Sequence, residues 1–138
     1  MQGYTIDEME IGQKATFSKT ISESDVYMFA GETGDVNPAH VNEAYAQTTP
    51  FKTRIAHGIL SAGLISAVLG TQLPGPGAIY ASQTLKFTAP VRIGDTITAT
   101  ATVKELIPER NRAVIETVCR NQEGVVVTTG EAVLLPPR

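Results

Sequence analysis

Residues 58–70 read GILSAGLISAVLG, a run without a single charge whose only hydroxyls are Ser61 and Ser66. Apolar side chains at every helical angle predict a helix from Gly58 to Gly70 that is buried on all sides. It is too short to cross a bilayer, which takes about 18 to 20 apolar residues, so the rest of the chain must wrap it. LPGPG (73–77) supplies the exit turn.

Downstream the chain offers only strands: AIYASQTLKFTA (78–89), DTITATATVKEL (95–106), RAVIETVCRN (112–121) and VVVTTGEAVLL (125–135). All are rich in β-branched residues, and the breaks PVRIGD, IPERN and QEG are short enough for an antiparallel meander. Upstream, KATFSKTI (14–21) reads as a first strand, and Ser22 is a good N-cap for ESDVYMFAGET (23–33), with Val26, Phe29 and Ala30 on one face. GDVNP (34–38) must break regular structure, and Asn42 can start a short helix, NEAYAQT.

One long apolar helix enclosed by a curved antiparallel sheet is the α+β hot-dog arrangement, here a single domain over residues 1–138. Uncovered sheet edges predict pairing between subunits, giving a homodimer or a dimer of dimers.

With 42% hydrophobic and 18% charged residues the chain has the composition of a globular domain. A net charge of -3, with its 11 basic residues scattered, gives no stripe for nucleic acid. The opening MQGYTIDEMEIGQK lacks a basic segment followed by an apolar one, so no membrane association and a cytoplasmic location are expected. Cys119 is the only cysteine, its apolar setting predicts a buried structural thiol, and no Cys/His spacing suggests a metal site.

Chemistry concentrates in two segments. Gly34-Asp35-Val36-Asn37-Pro38-Ala39-His40 puts an acid, an amide and an imidazole on one shaped loop, and Asp with His is a natural acid–base pair near neutral pH. The same loop residues also make Asx turns with no further role. Arg54-Ile55-Ala56-His57-Gly58 leads into the apolar helix, where a glycine lets a ligand approach exposed N–H groups suited to a developing oxyanion. His57 can face a ligand or lock the loop through the backbone. Arg54 can pair with a loop carboxylate or meet a phosphate.

These segments, AGETGDVNPAHVNEAYA (30–46) and RIAHGILSAGL (54–64), together with LKFTAPVRIGD (85–95), resemble the MaoC-like R-specific enoyl-CoA hydratases, the hydratase 2 family, over nearly the whole chain. The resemblance implies a hydro-lyase that adds water to a trans-2-enoyl thioester and gives the R alcohol. In that resemblance Asp35 and His40 hold one water, Asn37 fixes its surroundings, and Gly58 donates to the thioester oxygen. It implies no cofactor, coenzyme A being part of the substrate, and a homodimer with active sites near the subunit interface.

Ser61 and Leu64 are expected to shape the acyl cavity, and Arg54, Lys86 and Arg92 to be the cations that could meet the coenzyme A phosphates. Two other readings share the fold: an acyl-CoA thioesterase, which needs only a carboxylate to activate water, and a non-catalytic subunit or acyl-carrier docking module, which would not retain both Asp35 and His40. Coenzyme A is preferred to acyl carrier protein, since a pI of about 5.3 leaves no broad basic patch for an acidic carrier.

Overall fold

The computed structural model describes residues 1–138. In chain order the elements are β1 (Lys14–Thr20), α1 (Glu23–Thr33), α2 (Pro38–Val41), α3 (Glu43–Ala46), α4 (Leu60–Thr71), β2 (Ile79–Gln83), β3 (Lys86–Phe87), β4 (Thr96–Ile107), β5 (Arg112–Arg120) and β6 (Val126–Leu135). All strand pairs are antiparallel and form one sheet in the order β1-β4-β5-β6-β2, with β3 also on β6. The chain has the hot-dog fold: α4 lies on the concave face of this sheet, against β4, β1 and β5.

Alternation explains how the sheet accepts a helix. Along β4 the residues Ile97, Ala99, Ala101 and Val103 are buried, while the intervening threonines face outward. Three alanines from neighbouring strands, Ala101, Ala113 and Ala132, keep the inner face shallow. Leu64, Ile65, Val68 and Leu69 of α4 can therefore settle close against it, and all of these belong to one buried apolar cluster. Register shifts at Tyr80/Ser82, Val103/Glu105 and Cys119/Arg120 bend the strands around the helix.

Three expectations change. The helix begins at Leu60, with Gly58 and Ile59 in the turn before it. It is also not buried all round, because six strands cover one side only: Gly63, Ser66 and Gly70 stay exposed and Ile59 is 46% exposed. The second half is not a simple meander. β4, β5 and β6 follow one another, but the segment expected as one strand over 78–89 splits in two and pairs with the last strand, β6. The split falls where Thr84 crosses Gly130: the Thr84 N–H donates to the Glu131 carbonyl at 2.9 Å, and the Glu131 N–H to the Thr84 hydroxyl at 3.0 Å.

The buried thiol is as expected. Cys119 on β5 is fully covered, lies 3.9 Å from the Ser61 carbonyl oxygen, and is pushed up to about 11 by burial. No helix is long and apolar enough to cross a membrane.

Candidate active site

The loop carrying Asp35 is set by α1. Ser22 and Asp25 form a reciprocal capping box, the Ser22 hydroxyl accepting from the Asp25 N–H at 3.1 Å and the Asp25 carboxylate from the Ser22 N–H at 2.9 Å. The helix ends at Gly34, whose φ of 80° is left-handed, and this turn throws Asp35 out of the helical path. Thr33 then accepts from the Asp35 N–H at 3.2 Å, and the Asp35 carboxylate accepts from the Asn37 N–H at 3.3 Å. One carboxylate oxygen is thus tied to the loop and the other is left free.

Asn37 caps the next helix. Its side-chain oxygen accepts from the Ala39 N–H at 3.0 Å, and Pro38 supplies the first helical residue. The loop reading of His40 is corrected accordingly: the histidine sits on α2, a single helical turn absent from the sequence expectation. Asn37, expected among the catalytic groups, has its side-chain oxygen tied to that turn.

His40 is partly buried, and its Nδ1 lies 2.7 Å from the Ile55 carbonyl oxygen. A carbonyl only accepts, so Nδ1 carries a proton and Nε2 is the ring nitrogen left over for a water or substrate. His57 is 1% exposed, and its Nε2–H donates to the Asp35 carbonyl at 2.9 Å. Its Nδ1 is buried without a partner. The His57 ring lies face to face with that of His40, centroids 4.0 Å apart at 32°, and against Phe29 at 4.7 Å.

One side-chain nitrogen or oxygen from each of Asp35, His40 and His57 falls within 4.8 Å of the others.

A cleft of about 330 Å³ opens in front of His40, lined among others by Phe51, Ala56, Gly58, Ser61, Phe87 and Thr128. The Gly58 N–H has no acceptor within the chain, and Gly58 is exposed in this cleft ahead of α4. A side chain at this position would meet the Phe87 ring, with a Cβ 3.1 Å from its nearest carbon. Phe87, Phe51 and Pro90 make walls that sequence reasoning left without a role. The only signal was their place in or next to the segments already singled out.

Other expected residues fall differently. Ser61 lines the cleft and is buried. Leu64 does not line it, because one turn further along α4 its side chain enters the apolar core. Arg54 is corrected from a phosphate contact to an internal clamp: it bonds Glu23 at 2.5 Å and the Tyr27 hydroxyl at 2.8 Å, and lies 3.6 Å from Glu43.

Both clamp carboxylates titrate below the usual range. The Arg54 guanidinium is the main cause for Glu23, and the Thr53 hydroxyl followed by the Arg54 N–H for Glu43. Lys86 is exposed on β3 and outside the cleft lining, since alternation turns it away from the face that carries Phe87. Arg92 stands at the rim, donating to the Phe51 carbonyl at 2.9 Å.

This geometry has close counterparts. An (R)-specific enoyl-CoA hydratase of Rhodospirillum rubrum is 63% identical over 131 residues, covering 95% of this chain and 90% of the relative. A 3-hydroxybutyryl-CoA dehydratase of Methylorubrum extorquens is 54% identical over 132 residues, with 96% and 83% covered. Among solved structures, the unliganded R-hydratase PhaJ1 from Pseudomonas aeruginosa superposes with a TM-score of 0.93 at 47% identity, over 99% of this chain and 88% of that one. With residues 7–125 matching the MaoC like domain, and with His40 and the free Gly58 N–H lining one cleft and Asp35 beside His40, the chain belongs to the MaoC-like family.

Proposed function

We propose that this chain, a hydro-lyase, catalyses the reversible hydration of trans-2-enoyl-CoA to (R)-3-hydroxyacyl-CoA, as one MaoC-like domain over residues 1–138. The observation that carries this is that His40 and the unpaired Gly58 N–H line one cleft, while an Asp35 carboxylate oxygen lies within 4.8 Å of a His40 ring nitrogen. Both acceptors can hold the same water. Two acceptors of one water stand about 4.5 Å apart at ordinary bond lengths near 2.8 Å, and a carboxylate oxygen of Asp35 and a ring nitrogen of His40 lie within 4.8 Å of each other.

In the forward direction the water oxygen bonds to C3 as one of its protons passes to the pair, and a proton from the pair is delivered to C2. Electron density displaced from the double bond moves to the thioester oxygen, where the Gly58 N–H receives it. The change is redox-neutral and every proton comes from water, so side chains and water suffice, with no cofactor. The roles of base and acid are assigned to Asp35 and His40 jointly. Because the water is held from one side and the thioester oxygen from another, only one face of the double bond meets the nucleophile.

Arg92 is our candidate for a coenzyme A phosphate contact. The acyl-CoA substrate class also supports a cytoplasmic location. A homodimer follows from what one chain leaves open: the edge strand β2 presents Ile79 and Tyr80, and the Gly63–Gly70 side of α4 is uncovered. Sedimentation at micromolar concentration should give a dimer, and a stable monomer would contradict this.

The decisive assay is crotonyl-CoA hydration coupled separately to R- and S-specific 3-hydroxyacyl-CoA dehydrogenases. Signal is expected from the R-specific enzyme. Signal from the S-specific one would refute the stereochemical assignment, and free coenzyme A without hydration would indicate a thioesterase.

A further inference from the structure

His57 is buried at the site, at 1% exposure, and it touches both members of the acid–base pair. Its Nε2–H donates to the backbone carbonyl of Asp35 at 2.9 Å. Its ring covers one face of His40, with centroids 4.0 Å apart, while Phe29 at 4.7 Å backs it from α1. The Nδ1 atom pays for this placement, being buried with no hydrogen-bond partner. An apolar residue of similar shape would fill the space without that cost. What the imidazole adds is the Nε2–H aimed at Asp35.

We propose that His57 is a positioning residue: its N–H fixes the Asp35 peptide, and its ring fixes the plane of His40, so that the two acceptors stay within reach of one water. The rest of the loop does not supply this link. The Asp35 N–H and carboxylate are bonded only to Thr33 and Asn37, close neighbours in sequence, and His40 is tied to Ile55. The His57 hydrogen bond spans 22 residues and registers Asp35 itself against the segment leading into α4, whereas the Ile55 contacts of Ala39 and His40 hold only the far end of the loop. This inference rests on the hydratase reading above.

The test compares His57→Phe, which keeps a flat ring but has no donor, with His57→Gln, whose side-chain nitrogen can reach the place of Nε2. For His57→Phe we expect an unchanged or higher melting temperature, an unchanged KM for crotonyl-CoA, and kcat lowered about 10- to 100-fold, as for a misplacement of about 1 Å. His57→Gln should recover part of that loss even if it melts lower.

Wild-type kcat in His57→Phe, a Gln variant no faster than the Phe variant, or losses that simply follow melting temperature would each overturn the proposal. If the larger phenyl ring prevents folding, His57→Leu is read by the same criteria. An unaltered chain that does not hydrate crotonyl-CoA would instead overturn the reaction assignment, and this inference with it.

Discussion

Asp35→Asn and His40→Ala should each fold and each hydrate crotonyl-CoA about 100- to 10,000-fold more slowly than the unaltered chain. In the first variant the amide oxygen of the new side chain can still accept from the Asn37 N–H, so the loop keeps its turn, but the group no longer takes a proton. Removing the His40 ring leaves the Ile55 carbonyl without its side-chain donor, a cost of about 1 kcal/mol in a partly buried place. That is small beside the loss of rate.

Because the two groups share one water, the double variant should be little slower than the worse single one. Loss of the absorbance of the conjugated enoyl group measures the rate, and circular dichroism melting reports the fold. Near-wild-type turnover in either single variant would remove that residue from the mechanism.

Gly130→Ala should be the most damaging glycine replacement in the sheet. A Cβ there would stand 1.8 Å from the Thr84 carbonyl oxygen and 2.9 Å from the Gln83 side-chain nitrogen. Backbone, not a flexible side chain, blocks it, so the β2–β3 crossing must lift away from β6. We expect a loss of about 3 kcal/mol in denaturant unfolding. Residual folded enzyme should bind substrate more weakly, because Phe87 follows the same crossing. Gly31→Ala is the contrast: on α1 nothing lies within 4 Å of the added methyl, and helix propensity predicts a gain of up to about 1 kcal/mol. Equal stability of the Gly130 variant and the parent would contradict the packing described.

The sequence made the local features legible and left the distant ones hidden. Ser22 announces α1 because a cap acts within one turn, and the β4 alternation is visible because each threonine–alanine step is its own signal. The Asp35, Asn37 and His40 triplet was readable because the turn that shapes it lies inside the same few residues. The pairing of β2 and β3 with β6 was not, since it depends on Gly130 meeting Thr84 some 46 residues earlier in the chain. Arg54 was ambiguous for the same reason: its partner Glu23 lies 31 residues away, and nothing around Arg54 reveals it. The stacking of His57 on His40 likewise needs the folded geometry of two segments.

The groups proposed to move protons and hold the thioester oxygen all come from residues 35–58. Half of the lining of the cleft proposed to take the acyl group comes from elsewhere: Phe87, Thr88, Ala89, Pro90 and Val91 before β4, and Thr128 on β6. Reaction and appetite are therefore separately mutable. Reshaping the Phe87–Val91 wall can widen or narrow the range of acyl chains accepted while leaving the proton-transfer apparatus untouched, so a new substrate preference is accessible without first losing the chemistry.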